Sequence, residues 1–446
     1  MSDIALVAGH DGAPIACRGS RVFAVDEFIA AADLLARALP PAGFALLLCE
    51  DRVSFATAFC ALAMRGTTAL LPPSHAPHAL ASIVATRRPG FALVDRVGIV
   101  SGLMEVAVDA DCTPPPSTTT IPAIDAGHVA AIVYTSGTTG EPQPHEKTWR
   151  SLTEGAAGLR ARIAFARGDA IIGAVPAQHM WGLEATVMLA LQGGGAIDAA
   201  TPLLPHEIVR RLAQFSARRW LVLTPLHARS IVRSDAQLPA LAGTLSATAA
   251  LDAETARSIE RLTSAPAIEI YGSSETGVIA TRHPACESNF DPLAGITLDA
   301  TQDNFVVSGA HVKSVTLNDR IRVNEDGSFA LLGRDSDLVK VGGKRASLAM
   351  LNAALRSIAG VVDAECVVRD YGALSVRVAA IVVAPGVTRE AIVAALRDRI
   401  DPVFLPRPLY LVDALPRNAI GKIAADALTQ TLHELEDSER LDSRAT

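Results

Sequence analysis

Tyr134-Thr135-Ser136-Gly137-Thr138-Thr139-Gly140, running on through Glu141-Pro142-Gln143-Pro144-His145-Glu146 to Lys147, is the stretch on which the reading of this chain turns. Ala130-Ala131-Ile132-Val133-Tyr134 predicts a short buried strand leading into it. Residues 135–140 interleave hydroxyls with two glycines, so that backbone N–H groups and small donors replace bulky side chains. Such a loop suits an oxyanion: glycines let the backbone approach a phosphate, hydroxyls add donors, and Lys147 at the far end adds a mobile positive charge. A mononucleotide-kinase loop is excluded on spacing. That pattern needs a glycine directly before its Lys-Ser/Thr pair, whereas Lys147-Thr148 follows Glu146, seven residues after Gly140.

Length and composition bound the rest. At 446 residues the chain is too long for one ordinary core and calls for two or three domains. Half of its residues are apolar, enough to fill a sizeable core, and a net charge of −7 with no basic run argues against nucleic acid as a partner. The six cysteines (17, 49, 60, 112, 286 and 366) are scattered without a close pair, which fits neither a zinc site nor a disulfide framework and points to a reduced, cytoplasmic home. No apolar run is long enough to span a bilayer, so no membrane association is expected.

Along the chain, apolar residues at helical spacing over 22–39 end at Pro40-Pro41, 44–49 predicts a buried strand, 54–64 a helix, and 67–71 the next strand. That order predicts a parallel, right-handed βαβ unit, and 83–95 repeats the idea with 91–94 as its strand. Residues 111–122 hold four prolines and a Ser/Thr run and read as a surface loop. A helix over 151–165 and a strand over 170–175 come next, after which helix and strand alternate through 220–223 and 241–246 to 267–271. Short strands with turn signals then run over 304–307, 319–323 and 329–332, with Asn324-Glu325-Asp326-Gly327 as a turn. After Arg334 the pattern becomes α+β, with a helix at 348–358, strands at 365–368 and 375–383, and a final helix at 389–400. The expected fold is α/β: a large N-terminal domain of layered α/β subdomains with a small β subdomain over 1–333, a hinge at 334–337, and a small mobile α+β domain over 338–446.

Four further segments carry chemistry. Tyr271-Gly272-Ser273-Ser274-Glu275-Thr276-Gly277 sits at the end of a strand, where ligands collect in an open α/β sheet, so Glu275 is placed to hold Mg²⁺ against a triphosphate. Asp319 precedes Gly333-Arg334 by fourteen residues around a hairpin turn. Gly342 and Gly343, after Gly333-Arg334-Asp335-Ser336-Asp337, offer a backbone bare enough to line a narrow channel. Leu415-Pro416-Arg417-Asn418-Ala419-Ile420-Gly421-Lys422 ends in a lysine able to act as a point charge on a phosphate.

In their order and spacing these segments resemble the acyl-adenylate-forming superfamily: acyl- and aryl-CoA synthetases, luciferases and peptide-synthetase adenylation domains. The compact acyl-carrier-protein ligases of aryl-polyene and xanthomonadin-type pigment clusters are most similar in feel. The resemblance implies that Thr135, Ser136, Gly137, Thr138, Thr139 and Gly140 hold the ATP phosphates, with Tyr271 stacking on adenine, Gly272 beside it, Ser274 on the α-phosphate and Glu275 on magnesium. It further implies Asp319 on the ribose hydroxyls, Arg334 on the ribose or phosphate, a pivot at Ser336, a thiol channel at Gly342 and Gly343, and Lys422 as the mobile catalytic lysine. The chain departs from the pattern at Gln143, where the family has a lysine whose role is lost or passes to Lys147, and at Leu317-Asn318 and Ser336.

His179-Met180-Trp181-Gly182 resembles the family's His-x-x-Gly, in which the histidine gates the acid pocket beside the substrate carboxylate. Amino-acid-activating relatives carry an aspartate where Met180 stands, and Met180 cannot pair with an ammonium, which favours an aryl or fatty acid. Trp181, Glu184, Thr248, Ala249, Gly272 and Ser273 complete the expected pocket, with Glu184 accepting from a ring hydroxyl of a hydroxybenzoate-like acid. The expected function is an ATP- and Mg²⁺-dependent acid–thiol ligase that forms acyl-AMP and passes the acyl group to CoA or to the phosphopantetheine of an acyl carrier protein. The alternatives are a fatty-acyl or amino-acid adenylating enzyme and a non-catalytic nucleotide-binding pseudoenzyme.

Overall fold

Three apolar runs, Phe44–Leu47, Thr68–Leu71 and Phe91–Val94, are strands of one sheet and pair in parallel. Near-continuous burial along them is what a parallel sheet covered on both faces demands. The structure is a computed structural model that describes residues 3–10, 12–111, 120–136, 142–216, 218–300, 304–334, 338–341, 344–370, 376–397, 399–417, 423 and 425–445. By its packing the chain divides into one unit of Met1–Leu298, Val307–Val315 and Glu325–Ser328 and a second of Asp299–Val306, Thr316–Asn324 and Phe329–Thr446. The division differs from the boundary read at 334–337, because the hairpin of Asp319–Val323 and Phe329–Arg334 falls in the second unit, where Phe329 meets Phe305 with ring centroids 6.5 Å apart.

The first unit holds two large sheets. The six-stranded one runs in the order Pro142–Thr148, Val129–Ser136, Thr68–Leu71, Phe44–Leu47, Phe91–Val94, Glu105–Ala107. The nine-stranded one runs Asp291–Pro292, Gly277–Arg282, Ala267–Ser273, Gly243–Ser246, Arg219–Leu223, Ala170–Gly173, Ala196–Asp198, Ala16–Arg18, Arg21–Phe23. Its middle is parallel and both its edges are antiparallel. The helix Arg52–Met64 packs against strands of both sheets, which explains why it is apolar on every side and buried almost throughout.

Arg52, the first residue of that helix, ties it to the nine-stranded sheet. Its guanidinium is fully buried and donates to the carbonyls of Gly173 (2.9 Å), Val175 (2.8 Å), Asp198 (2.9 Å) and Ala200 (2.6 Å) and to the Thr201 hydroxyl (3.1 Å). Burial lowers its pKa to about 10, which leaves it charged at neutral pH. Arg52→Met keeps the volume and removes every donor, stranding carbonyls at the ends of two strands. The unfolding free energy of this unit is expected to fall by about 3–5 kcal/mol, read from the first transition in urea.

The second unit is α+β, as its sequence pattern predicts. Strands Asp363–Asp370 and Val376–Val383 pair antiparallel, and Leu409–Leu411 joins the latter in parallel. Along Val376–Val383 both faces are apolar because both are covered. Val378, Ala380 and Val382 pack with Leu351 and Leu355 of helix Leu348–Arg356 and with Ile392 and Leu396 of Arg389–Arg397. Ala379 and Ile381 pack with Leu428 and Leu432 of a further helix, Ala425–Ala445, so the helix read as final at 389–400 is not the last.

Candidate active site

Parallel strands bring their carboxyl ends to one edge of a sheet, and several of the sequence-read site residues lie along that edge of the nine-stranded sheet. His179 follows Ala170–Gly173, Thr248 and Ala249 follow Gly243–Ser246, and Tyr271, Gly272 and Ser273 end Ala267–Ser273. His179 is the N-cap of the short helix Met180–Gly182. Met180 and Trp181 are buried, and the Trp181 indole N–H donates to the Leu223 carbonyl at 3.3 Å, on the strand between. Thr248 is half-buried and held at φ +81°, a left-handed conformation costly for a threonine and common where a loop is shaped for a ligand. The Tyr271 ring packs on Phe290 with centroids 5.5 Å apart.

The stretch after Val129–Ser136 is a hairpin, not a long loop. Pro142–Thr148 returns antiparallel, with Gln143 opposite Thr135 and Lys147 opposite Ala131. As the outermost strand of its sheet it tolerates Pro142 and Pro144. Gly137, Thr138, Thr139, Gly140 and the Ser136 side chain lie outside the described residues. At the mouth of the hairpin Thr135 Oγ1 and His145 Nε2 share a hydrogen bond of 3.1 Å, and the same Nε2 is 3.8 Å from Glu275 Oε1. The oxyanion hairpin on one sheet and the Tyr271–Gly277 segment on the other therefore meet through His145.

That second segment is itself a hairpin corner: Ala267–Ser273 extends through Ser273, and Gly277–Arg282 returns antiparallel. Ser273 N–H donates to Thr276 Oγ1 at 3.1 Å, and the Thr276 hydroxyl donates to the Gly277 carbonyl at 2.8 Å, which closes the turn. Glu275 stands out from it, 43% exposed. Burial alone would raise its pKa, but the Ser273 hydroxyl, a backbone N–H and the charges of His145 and Lys147 outweigh that and hold it below the ordinary carboxylate value. Burial lowers the pKa of His145, helped by Lys147 and opposed by Glu275. No cluster of three metal-ligating side chains occurs among the described residues. A single ionised, accessible carboxylate fits Mg²⁺, which takes one or two carboxylates and completes its shell with water and phosphate.

Lys147 and Glu184 differ from their expected roles. Lys147 is not the mobile end of a loop but a strand residue, 4% exposed, whose ammonium donates to the Glu275 carbonyl at 2.7 Å. Glu184 is not open to a ring hydroxyl. It is 3% exposed, on the π-helical turn Leu183–Met188, and accepts from the Val278 N–H at 3.0 Å. Burial pushes its carboxyl up to about 7 against the pull of Lys147 and of that N–H, and burial lowers Lys147 against the pull of Glu184 and Glu275. Sequence reasoning passed over His145. Read as a strand, 142–148 would have put His145 and Lys147 on one face.

In the second unit Asp319 and Arg334 sit directly opposite each other in an antiparallel pair, as their spacing implied, and Asp319 is buried. Ser274, expected on the α-phosphate, is a half-buried residue of the Tyr271–Gly277 corner in the first unit. The Arg334 side chain, Ser336, Gly342, Gly343 and Lys422 lie outside the described residues. Arg417 bridges to Ile423 and forks onto Asp363 at 2.7 and 2.9 Å.

Residues 26–307 match the AMP-binding enzyme family and residues 351–422 the AMP-binding enzyme C-terminal domain. The chain is 29% identical over 307 residues to a 4-coumarate–CoA ligase of Halorhodospira halophila, covering 66% of this chain and 75% of that one. It is 26% identical over 390 residues to a malonate–CoA ligase of Arabidopsis thaliana, with 69% of this chain and 61% of that one covered, so it spans under two thirds of the latter's length. Its fold is similar to that of ATP-bound MatB from Rhodopseudomonas palustris, with a TM-score of 0.81 at 20% identity over 95% of this chain and 97% of that one. The chain belongs to the AMP-binding enzyme family.

Proposed function

We propose that this protein is an ATP- and magnesium-dependent acid–thiol ligase that adenylates a small aryl carboxylic acid and passes it to the thiol of a phosphopantetheine arm, either of CoA or of an acyl carrier protein. The meeting of Thr135, His145 and Glu275 carries the reading, because it joins an oxyanion hairpin to an accessible ionised carboxylate. In the first half-reaction an acid oxygen bonds to the α-phosphorus as the bond to the bridging oxygen breaks and pyrophosphate leaves. Magnesium, when bound, neutralises phosphate charge. The chain's own part is to orient the triphosphate with Thr135 and residues 137–140, to hold the metal with Glu275, and to seat the acid beside His179. In the second half-reaction the thiol sulfur bonds to the acyl carbon, AMP leaves, and the thiol proton goes to solvent.

An aryl acid is favoured by Met180 and Trp181, which follow His179, are buried and cannot pair with an ammonium, and by the coumarate ligase likeness. The hydroxybenzoate preference loses its support, since Glu184 is engaged by protein groups. Pyrophosphate exchange over aryl, fatty, dicarboxylic and amino acids tests the reading. Exchange is expected with aryl acids at least about tenfold above amino acids, and exchange with no acid would leave only nucleotide binding. Mass measurement of CoA and of a holo carrier protein after reaction then separates the two acceptors.

A further inference from the structure

Beneath the Tyr271–Gly277 corner lies a group of buried polar side chains that the proposed reaction does not use. Lys147 reaches the corner from strand Pro142–Thr148 and Glu184 from the π-helical turn Leu183–Met188. They grip it at two points: Lys147 Nζ donates to the carbonyl of Glu275 at 2.7 Å, and Glu184 accepts from the N–H of Val278 at 3.0 Å. Val278 is also held from its other side, where His311 Nε2 donates to its carbonyl at 2.8 Å. Space for the Glu184 carboxylate is made by two glycines. A Cβ on Gly155 would come within 2.8 Å of its Oε1, and one on Gly277, at φ +73°, would collide with the same oxygen. Both side chains are buried, and each directs a hydrogen bond to the backbone of the same hairpin, which offsets part of the cost of taking it out of water.

We propose that Lys147 and Glu184 form a buried two-point brace, a pair of positioning residues that fixes the backbone at Glu275 so that its carboxylate stands ready for magnesium–ATP. Neither residue touches the nucleotide. The brace rests on the nucleotide-binding reading above, and it assigns to Lys147 a role through Glu275 rather than on a phosphate. Because the grip on Glu275 is a single donor on a single carbonyl, the charge pair can be removed while its volume is kept.

The test compares Lys147→Met, Glu184→Gln and the double variant in the full chain, by thermal unfolding and by calorimetric titration with ATP in the presence and absence of magnesium. Each single variant strands one buried partner and is expected to lower the first unfolding midpoint by several degrees. The double variant leaves no uncompensated charge, and the glutamine side chain it introduces can still accept from Val278, so its midpoint is expected to return close to that of the wild type. Its affinity for ATP with magnesium is expected to stay about tenfold weaker, while ATP alone binds within about threefold of wild type, since only the seat of Glu275 has been loosened. A double variant that binds magnesium–ATP like the wild type overturns the brace, and so does one that fails to fold, because the pair would then be inseparable from packing. Wild-type protein that binds no nucleotide overturns the functional reading the brace serves.

Discussion

Lys422→Ala is expected to slow acyl-AMP formation by about 10²–10³-fold, while thioester formation from preformed acyl-AMP falls by less than about threefold. An ammonium is a compact point charge, and its use in phosphoryl chemistry is to neutralise the charge that builds on the α-phosphate and the leaving pyrophosphate. Attack of a thiol on the acyl carbon leaves the α-phosphorus tetrahedral and expels no pyrophosphate, so there is no pentavalent phosphate to neutralise. Of the neighbouring residues, Arg417 and Ile423 form an antiparallel bridge, and Arg417 is fastened to Asp363, which also takes Arg356 at 3.3 Å. Pyrophosphate exchange reads the first half-reaction, and thiol capture of a synthetic acyl adenylate reads the second. Equal loss in both would contradict a scheme in which the C-terminal unit presents Lys422 for adenylation and withdraws it for transfer.

The features that could be read from the chain were those whose pattern is local. Phe44–Leu47, Thr68–Leu71 and Phe91–Val94 are short apolar runs punctuated by turn residues, and their length and flanking Gly and Pro favour a buried strand over a helix. The spacing of Asp319 and Arg334 around a turn foretold their cross-strand pairing. Pro142–Thr148 escaped because two prolines and three ionisable side chains argue against a strand anywhere except at an open edge, and edges are not marked in a sequence. Arg21–Phe23 is too short to show alternation. Ala425–Ala445 is charged on most of its surface, and its apolar stripe needs the far face of a sheet to give it a purpose.

Depth was the property least accessible. Glu184 was found as a residue of interest, but a glutamate three residues after a tryptophan carries no sign of whether it faces a ligand or another side chain. The deciding facts are a π-helical turn, glycines at 155 and 277, and a lysine on a different sheet. The same holds for Lys147, whose charge looks available in one dimension and is buried in three. Local motifs thus named the candidate residues, and the long-range packing shows which of them are buried and what each one touches.

Glu275→Gln is expected to lower kcat/KM for ATP in the exchange reaction by about 10²-fold at limiting magnesium, with the deficit shrinking to about tenfold when magnesium is saturating. Glutamine keeps the shape and its carbonyl oxygen can still touch the metal, but the charge is gone, so the main loss is in how much magnesium is needed. The surroundings of Glu275 are built for an anion: the Ser273 hydroxyl, a backbone N–H, His145 and Lys147 all favour its ionised form over the opposing effect of burial. Its carboxylate remains accessible, whereas Glu184 close by is buried and held by Val278, so the two acids cannot exchange duties. Thermal unfolding of the variant is expected to match the wild type within about 2 °C, because an accessible side chain that only closes local contacts adds little to stability. A deficit of the same size at every magnesium concentration would place Glu275 outside the metal's reach and overturn its assignment as the metal-holding carboxylate.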